Sequence, residues 1–186
     1  KGINPDKVLS FNYTDTYQKL YGKDKQIDYD FIHGKADQHH SAENNRIVLG
    51  IDEYLPEGRK DTEVDFIAFK KYYQRIFKGT GCLYKDWVDD MQTQTYKGTP
   101  SNMPVAAGPH DVFIFGHSLD VTDRDVLRDL ILNKWVHATI FYFDKDDLGK
   151  KIANLVKVIG QDELIRRTGG PQKSITFKKQ MGMIRA

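Results

Sequence analysis

With 186 residues and a hydrophobic share of 39%, the chain is long and apolar enough for one domain with a hydrophobic core. Its formal net charge of only +2 gives no indication of nucleic-acid binding, since nucleic-acid-binding proteins usually carry a clustered basic face. Its one cysteine, Cys82, excludes a disulfide framework and a zinc site built from CxxC pairs, and it is typical of a reducing compartment. No apolar stretch approaches the ~18 residues of a membrane span, so we expect a cytoplasmic protein with neither a membrane nor a nucleic acid as partner.

Short apolar segments recur along the chain and predict the strands of an α/β fold. In chain order they are KVLSF (7–11), DFI (30–32), NRIVLGI (45–51), DVFIFG (111–116), ATIFYFD (138–144) and SITF (174–177). The middle segments are apolar without alternation, which is typical of strands that are buried on both faces of a parallel sheet. We therefore predict a Rossmann-like three-layer sandwich with a mainly parallel sheet.

Three helices are predicted between these strands, over residues 64–77, 122–133 and 148–161. The last of them has an apolar stripe at helical spacing, followed by a glycine that suits its C-terminal end. The members of this stripe are Ile152, Leu155, Val156 and Ile159. The strand–helix–strand–helix–strand order over 111–177 predicts a βαβαβ unit with right-handed crossovers.

Residues 79–110 differ in composition from the rest of the chain, because Gly, Pro, Thr and Asn dominate there. This composition predicts a long irregular loop, a mobile lid or a place where residues have been left out. Loops of such length in compact domains are usually functional or disordered. We interpret residues 1–186 as one domain that is interrupted by this loop.

Small or polar residues follow most of the predicted strands. In open α/β sheets, ligands bind outside the carboxyl ends of the strands. The residues at these ends are Asn12, Thr14, Asp15, His33, Gly34, Gly50, Asp52, Gly116, His117, Ser118 and Asp144. One such ending is an ordinary turn, because Asn and Asp favour turns. Five endings together indicate a shared ligand cleft.

The segment GHSLD (116–120) resembles the nucleophile elbow G-x-S-x-G of α/β-hydrolases, and it stands between a strand and a helix as the elbow does. Two features disfavour a serine hydrolase that uses Ser118. Asp120 replaces the last glycine, which normally lets helix and strand approach closely. The only histidine after Ser118 is His137, which stands at the start of the next predicted strand and therefore at the wrong end of the sheet.

Four motifs, in the same order along the chain, resemble those of sirtuins. VLSFNYTD (8–15) occupies the place of their Thr-Gln-Asn-Ile-Asp segment, and FIHG (31–34) that of their catalytic Leu-His-Gly. RIVLGID (46–52) is similar to their strand ending in Phe-Gly-Glu, and FIFGHSL (113–119) to their Gly-Thr-Ser-Leu turn. The combination resembles still more closely the bacteriophage abortive-infection AbiH family, a bacterial branch of sirtuin-like proteins, over nearly the whole chain.

The resemblance implies a sirtuin-like fold that binds NAD, and it assigns Asn12 and His33 as candidate catalytic residues. Asn12 matches the Asn that holds the nicotinamide-side ribose and a water, and His33 matches the general base on the ribose hydroxyls. Cleavage of the N-glycosidic bond of NAD builds positive charge on the ribose, so an enzyme mainly has to orient the sugar and deliver a nucleophile. A histidine with a pKa near ~6.5 suits proton transfer at neutral pH.

The same resemblance implies further cofactor-binding residues besides Asn12. Ser118 and the backbone around Gly116 would line the phosphate and ribose, and His117 would face the same cleft. Asp144 could accept hydrogen bonds from the adenosine ribose. Asp15 could touch the ligand or cap the following helix, and both interpretations stay open.

The chain departs from sirtuins in two respects. Since Cys82 is its only cysteine, we expect neither their four-cysteine zinc module nor protein deacylation. No Gly-rich pyrophosphate loop precedes the first strand, and KGTGC (78–82) follows a predicted helix instead of a strand. We therefore expect that the chain is the C-terminal part of a longer protein and that this part lacks the Gly-rich loop.

The segment ADQHHSAENN (36–45) contains two histidines and an aspartate, but their spacing would not bring them together with His33 around a metal ion. We therefore expect a polar surface loop there and no metal.

The working hypothesis is a bacterial antiviral protein that hydrolyses NAD and arrests the infected cell by draining this cofactor. The alternative is a non-catalytic nucleotide sensor or protein-interaction module, which keeps the cleft but needs no base at position 33. A phage-derived trigger or a second copy of the chain is the expected protein partner.

Overall fold

The structure is a computed structural model, and it describes residues 3–23, 25–37, 39–41, 44, 46–50, 64–92 and 109–181. The chain divides into two compact units, Lys1–Asp86 and Trp87–Ala186. The prediction of one sirtuin-like domain over residues 1–186 stays a prediction.

Two parallel strands form the sheet of the N-terminal unit. Its elements are β1 (Lys7–Ser10), α1 (Thr16–Tyr21), β2 (Asp28–Phe31), a 3-10 helix (Val64–Phe69), α2 (Lys71–Lys78) and the start of α3 (Leu83–Gln92). The strands pair from Lys7 with Asp28 to Ser10 with Phe31. Both strands overlap the segments KVLSF and DFI that predict them.

The C-terminal unit contains a three-stranded parallel sheet with the strand order β3-β4-β5. Its elements after α3 are β3 (His110–Ile114), a 3-10 turn (Val121–Asp123), α4 (Arg124–Ile131), β4 (Val136–Tyr142), α5 (Lys145–Ile159), α6 (Gln161–Gly169) and β5 (Ile175–Lys179). The predicted βαβαβ unit is confirmed, with two helices in its second crossover. Parallel strands that alternate with helices confirm the predicted Rossmann-like α/β class. Of the helices described, none is long and apolar enough to cross a membrane.

Buried apolar side chains from the sheet, from the turn after β3 and from α4, α5 and α6 form the core of the C-terminal unit. Its members are Leu119, Leu127, Ile131, Val136, Ala138, Ile140, Leu155, Val158, Ile159, Leu164 and Ile175. Full burial of one such Leu, Ile or Val side chain contributes about 1.5–3 kcal/mol relative to an exposed position. This cluster therefore gives the sheet and its helices a fixed frame, from which the loops at the strand ends project.

The buried face of α5 differs from the predicted stripe. Leu155 and Ile159 are buried as predicted, but Ile152 and Val156 are 39% and 37% exposed. Lys151 takes a place on the buried face instead, with 4% of its surface exposed. The reason is a hydrogen bond that its ammonium group makes to the loop after β3.

The prediction of a strand at NRIVLGI (45–51) is wrong for the described residues 46–50, which form neither strand nor helix. Their N–H groups bond outside any strand ladder. The N–H of Val48 donates to the carbonyl of His33 at 2.9 Å, and the N–H of Leu49 donates to the side chain of Gln74 at 2.9 Å. Residues 45, 51 and 52 lie outside the described residues.

The predicted helix over residues 64–77 is interrupted at Lys70. This residue has an extended backbone, with φ −75° and ψ 136°, directly before α2. It therefore separates the 3-10 helix from the α-helix.

The prediction of one irregular loop over residues 79–110 is also wrong in part, because α3 occupies its first half. Tyr84, Trp87, Val88 and Met91 recur at helical spacing there, and Tyr84 and Val88 are buried. The Gly- and Pro-rich sequence on both sides of this stretch hides the pattern. Residues 93–108, the middle and end of the predicted loop, lie outside the described part of the chain.

Candidate functional site

Asn12 and His33 follow neighbouring parallel strands at equivalent positions. Ser10 is the partner of Phe31 in the ladder, and the N–H of Ile32 donates to the carbonyl of Ser10 at 3.0 Å. Each candidate therefore lies two residues beyond a paired residue. Because the carboxyl ends of parallel strands meet at one edge of a sheet, β1 and β2 bring these two residues to the same edge.

The two candidates have different surroundings. His33 is buried, with 5% of its surface exposed, whereas Asn12 is exposed. The imidazole meets the ring of Phe11 edge-on, with centroids 5.7 Å apart, and the ring of Tyr13 at 6.3 Å. His33 is thus packed between aromatic rings, and Asn12 is the accessible member of the pair.

The glycine of the FIHG motif is required by the turn after β2. Gly34 has φ +76°, and a Cβ at this position would overlap the backbone carbonyl of Arg46. Its N–H donates to the carbonyl of Phe31 at 2.8 Å and closes the turn. The hydroxyl of Tyr13 donates to the carbonyl of Val48 at 2.8 Å and ties the same region to the loop after β1. The two strand-end loops therefore support each other.

Asp15 is held by two lysines. Its carboxylate oxygens lie 2.7 Å from the Nζ of Lys35 and 2.9 Å from the Nζ of Lys19. Hydrogen bonds from Lys35 and then from Lys19 lower the pKa of Asp15 to about 2. Asp15 precedes α1 directly, but its side chain makes no capping hydrogen bond. A ligand at this carboxylate would compete with both ammonium groups.

Asp30 is a buried carboxyl group that is absent from the predicted site residues. Its Oδ2 accepts a hydrogen bond from the N–H of Tyr84 at 3.0 Å, in the first turn of α3. Burial raises the pKa of Asp30, and hydrogen bonds from the N–H groups of Tyr84 and Leu83, together with the charge of Arg75, oppose the rise. A charged residue inside the apolar segment DFI was the signal for it, since buried charges need partners.

A groove of about 780 Å³ lies in the N-terminal unit, between the turn after β2 and the loop that joins α2 to α3. Its lining includes Lys35, Asp37 and Arg46, but neither Asn12 nor His33. The groove borders the end of β2, since Asp30 and Phe31 line it, but it does not include the two candidate catalytic residues. Within the described residues, no group of three or more His, Cys, Asp and Glu side chains could hold a metal ion.

The turn after β3 contains two residues with a left-handed backbone. Gly116 has φ 61° and Leu119 has φ 59°. A left-handed conformation costs a residue other than glycine about 1–2 kcal/mol, and full burial of the Leu119 side chain offsets this cost. Apart from Gly116 itself and its two chain neighbours, no residue has a heavy atom within 4 Å of the place that a Cβ on Gly116 would take. Gly116 and the exposed Ser118 are thus the open part of this turn.

His117 is bound within its own turn. Its Nδ1 accepts a hydrogen bond from the N–H of Leu119 at 2.9 Å, and its Nε2 lies 3.5 Å from Oδ2 of Asp123. In the neutral ring these contacts assign the proton to Nε2. Because both nitrogens face groups other than the Ser118 hydroxyl, His117 is badly placed as the base of a serine hydrolase.

Two polar side chains of α5 hold the backbone of the same turn. The Nζ of Lys151 donates to the carbonyl of His117 at 2.6 Å, and the Nδ2 of Asn154 donates to the carbonyl of Ser118 at 2.9 Å. Neither residue was predicted from the sequence. A lysine on an amphipathic helix is normally assigned to the surface.

Asp144 caps α5. Its Oδ1 accepts a hydrogen bond from the N–H of Asp147 at 2.8 Å, and Asp147 accepts one in return from the N–H of Phe143 at 2.8 Å. The bond from Phe143 is the main reason that the pKa of Asp147 is lowered. The residue predicted to bind a ribose therefore has a structural role of its own, as an acceptor at a helix N-terminus.

Comparison with known protein families matches residues 2–144 to the family described as bacteriophage abortive infection AbiH. The match includes both sheet edges described above, and it ends at the residue that caps α5. No curated protein and no solved structure gives a significant match to the chain. Because the family match covers more than half of the sequence, the chain belongs to the bacteriophage abortive infection AbiH family.

Proposed function

We propose that this chain serves in abortive infection by binding a nucleotide through the polar residues that follow β1 and β2, with NAD as the candidate ligand. The observation that carries the proposal is the register of β1 and β2, in which Asn12 and His33 follow paired residues at one strand edge. In α/β proteins this edge is the usual place for a ligand. The turn after β3, with Gly116 and the exposed Ser118, belongs to the other compact unit and is a separate candidate for nucleotide binding.

Binding without catalysis is the function that the surroundings of His33 support best. A general base has to reach the proton that it removes, directly or through one water. The imidazole of His33 is packed against Phe11 and Tyr13 and is 5% exposed. In this role His33 stabilises the strand edge, and Asn12, which is exposed, contacts the ligand.

Hydrolysis of NAD is the second candidate function, and the pairing of an amide with an imidazole at one edge favours it. In that reaction Asn12 would orient the nicotinamide-side ribose, and His33 would take a proton from a ribose hydroxyl or from the attacking water. Movement of the loops that cover His33 would have to accompany substrate binding. The activity would deplete the NAD of an infected cell in the cytoplasm, where a phage component or a second copy of the chain would trigger it.

Measurement of both NAD binding and NAD turnover separates the two functions. The wild-type chain is compared with Asn12→Ala, with His33→Gln, and with Gln18→Ala as a control at an exposed amide on α1. Loss of the contact made by Asn12 should weaken binding about tenfold, the usual effect of one hydrogen bond. Gln18→Ala should bind as the wild type does.

Binding without turnover, weakened in Asn12→Ala, supports the sensor. Turnover that is lost in His33→Gln supports the hydrolase. Turnover that is undiminished in both variants removes these residues from the mechanism. Absence of NAD binding in the wild type contradicts the proposal as a whole.

A further inference from the structure

The helices of the C-terminal unit lie on one face of its sheet. Right-handed crossovers between neighbouring parallel strands place their helices on the same side, and the strand order β3-β4-β5 has two such crossovers. The strand residues that pack with α4, α5 and α6 come from matched levels of the ladder, where Val112 pairs with Ala138 and Ala138 with Ile175. The alternate residues of each strand therefore point away from these helices.

The opposite face of the sheet, which we call the aromatic face, carries exposed aromatic rings. Its members are Asp111, Phe113, Phe115, His137, Thr139, Phe141, Thr176 and Lys178. Phe113 and Phe115 are 40% and 52% exposed, and Phe115 stacks on Phe141 with the ring centroids 3.9 Å apart. Because both faces of a parallel sheet are normally covered, contiguous exposed rings on this face indicate that another surface packs there.

Two opposite charges stand at diagonal corners of the aromatic face. Asp111 is near the start of β3, at one edge of the three-stranded sheet, and Lys178 is near the end of β5, at the other edge. Asp111 pairs with His137, and Lys178 pairs with Phe141, so Lys178 lies four residues further along the strands. With ~4.8 Å between strands and ~3.3 Å per residue, the Cα atoms of Asp111 and Lys178 are about 16 Å apart. The two residues are therefore too distant to form an ion pair within one copy of the chain.

A two-fold axis in the plane of the aromatic face makes this face complementary to itself. If the axis runs along the other diagonal, it brings Asp111 of each copy to Lys178 of the other. The same rotation brings Phe113 of one copy near Phe141 of the other, and it brings the two Phe115 rings together. The strands of the two sheets then cross at roughly 70–90°, as in the orthogonal class of sheet packing. A second copy therefore matches both the charges and the rings of this face.

We propose that the aromatic face of the C-terminal unit is the dimer interface of this chain, in which Asp111 of each copy pairs with Lys178 of the other. Aromatic side chains are enriched at the centre of protein interfaces, and charged residues fix the register and the choice of partner. The strand spacing and rise give the face dimensions of about 14 by 17 Å, which is less than the ~800 Å² per partner of a stable interface. We therefore expect a weak dimer, with a dissociation constant in the micromolar range. This inference does not depend on nucleotide binding.

Sedimentation equilibrium over a series of chain concentrations measures the dimer, and charge reversal tests its geometry. The variants are Asp111→Lys, Lys178→Asp and the double variant that carries both changes. Lys179→Asp is the matched control, because Lys179 is the exposed neighbour of Lys178 on β5 and its side chain points to the opposite face. All three positions are exposed, and thermal unfolding checks that each variant is folded. Asp111→Asn and Lys178→Gln are milder substitutions that take the place of any reversal that destabilises the fold.

We expect the wild type to dimerise with rising concentration, and the dissociation constant to rise about tenfold or more in each reversal, because two like-charge contacts replace two ion pairs. The double variant should return to within about threefold of the wild type, since the exchanged charges meet again across the interface. Within one copy these charges are separated by more than the Debye length of ~8 Å, so they do not compensate each other there. Lys179→Asp should dimerise as the wild type does.

A wild type that stays monomeric well above micromolar concentrations overturns the proposal and leaves the aromatic face to a different protein or to another segment of the chain. Equal dimerisation of the wild type and all variants places the interface elsewhere and also overturns it. Weaker dimers in both reversals without recovery in the double variant overturn the pairing of Asp111 with Lys178, and with it the two-fold arrangement.

Discussion

The carboxyl group of Asp30 accepts a hydrogen bond from the backbone N–H of Tyr84 at 3.0 Å, and this bond joins β2 to the first turn of α3. Both residues are buried, with 5% and 3% of their surfaces exposed. The bond satisfies one of the N–H groups that every helix leaves unpaired at its start. Asp30, in a predicted strand, thereby stabilises the start of α3. This helix was not predicted, because the sequence on both sides of it is rich in Gly and Pro.

The pH dependence of stability should reveal the burial of Asp30. Because its pKa in the folded chain is raised above the ordinary value of 3.8, the folded state holds this proton more tightly than the unfolded state. Its contribution to stability is therefore full below about pH 3.8 and declines as the pH rises through the raised pKa. Asp30→Asn keeps an oxygen acceptor for Tyr84 but does not titrate. We expect its free energy of unfolding to decline less over this range, as measured by urea unfolding at a series of pH values.

Asp28→Asn is the matched control, since Asp28 is an exposed carboxylate on the same strand. It should keep the pH dependence of the wild type. An Asp30→Asn variant with an equally steep decline would show that this carboxyl group does not titrate as its burial requires.

Replacement of His33 by alanine should destabilise the N-terminal unit. The change removes the ring that contacts Phe11 and Tyr13 and leaves a cavity, so we expect a loss of about 1–3 kcal/mol in the free energy of unfolding. His40→Ala, at an exposed position, should stay within about 0.5 kcal/mol of the wild type. Denaturant unfolding measures both. Equal midpoints for the wild type and His33→Ala would be incompatible with the packing of this imidazole.

Glycine should be indispensable at position 34 but not at position 149. Gly34→Ala would force a residue with a Cβ into φ +76° and against the carbonyl of Arg46, which should cost about 2 kcal/mol or more. Gly149 lies in α5 with no atom near a possible Cβ, so Gly149→Ala should stabilise the chain by about 0.5–1 kcal/mol. Thermal unfolding of the two variants should therefore show shifts of opposite sign. Shifts of the same sign would refute the account of the turn after β2.

Substitutions of Asp144 can distinguish helix capping from ligand binding. Asp144→Ala should lower the free energy of unfolding by about 1 kcal/mol, because the N–H of Asp147 loses its acceptor. Asp144→Ser keeps an acceptor and should restore most of that stability. If Asp144 also binds the adenosine ribose, Asp144→Ser should still weaken NAD binding, which calorimetric titration measures. Full NAD affinity in Asp144→Ser would assign this residue to capping alone.

The strands could be predicted because short apolar runs bounded by polar residues mark them, as KVLSF and ATIFYFD do for β1 and β4. The same logic failed for residues 46–50, whose apolar side chains do not reveal that their N–H groups bond to His33 and Gln74. Hydrogen bonds between distant segments leave no local pattern in a sequence. Apolar composition alone therefore overestimates the number of strands.

Candidate site residues could be predicted from the sequence only where a polar residue stands out against the apolar pattern around it. Asn12 and His33 stood out because each follows an apolar run, and the family resemblance suggested their roles. The register of β1 and β2 brings them to one edge. Lys151 and Asn154 could not be found, since a Lys and an Asn on a helix suggest a solvated surface. Their contacts to the turn after β3 depend on how α5 packs on the sheet. That relationship exists only in three dimensions.

Titration of the chain with NAD, followed by backbone amide NMR, tests the central claim most directly. We expect saturable binding, with signals changing at Asn12 and His33, and with an affinity that falls about tenfold in Asn12→Ala. Gln18→Ala should titrate as the wild type does. The absence of saturable binding, or changes that are confined to residues away from these strand ends, would contradict the proposal that this AbiH-family chain binds a nucleotide there.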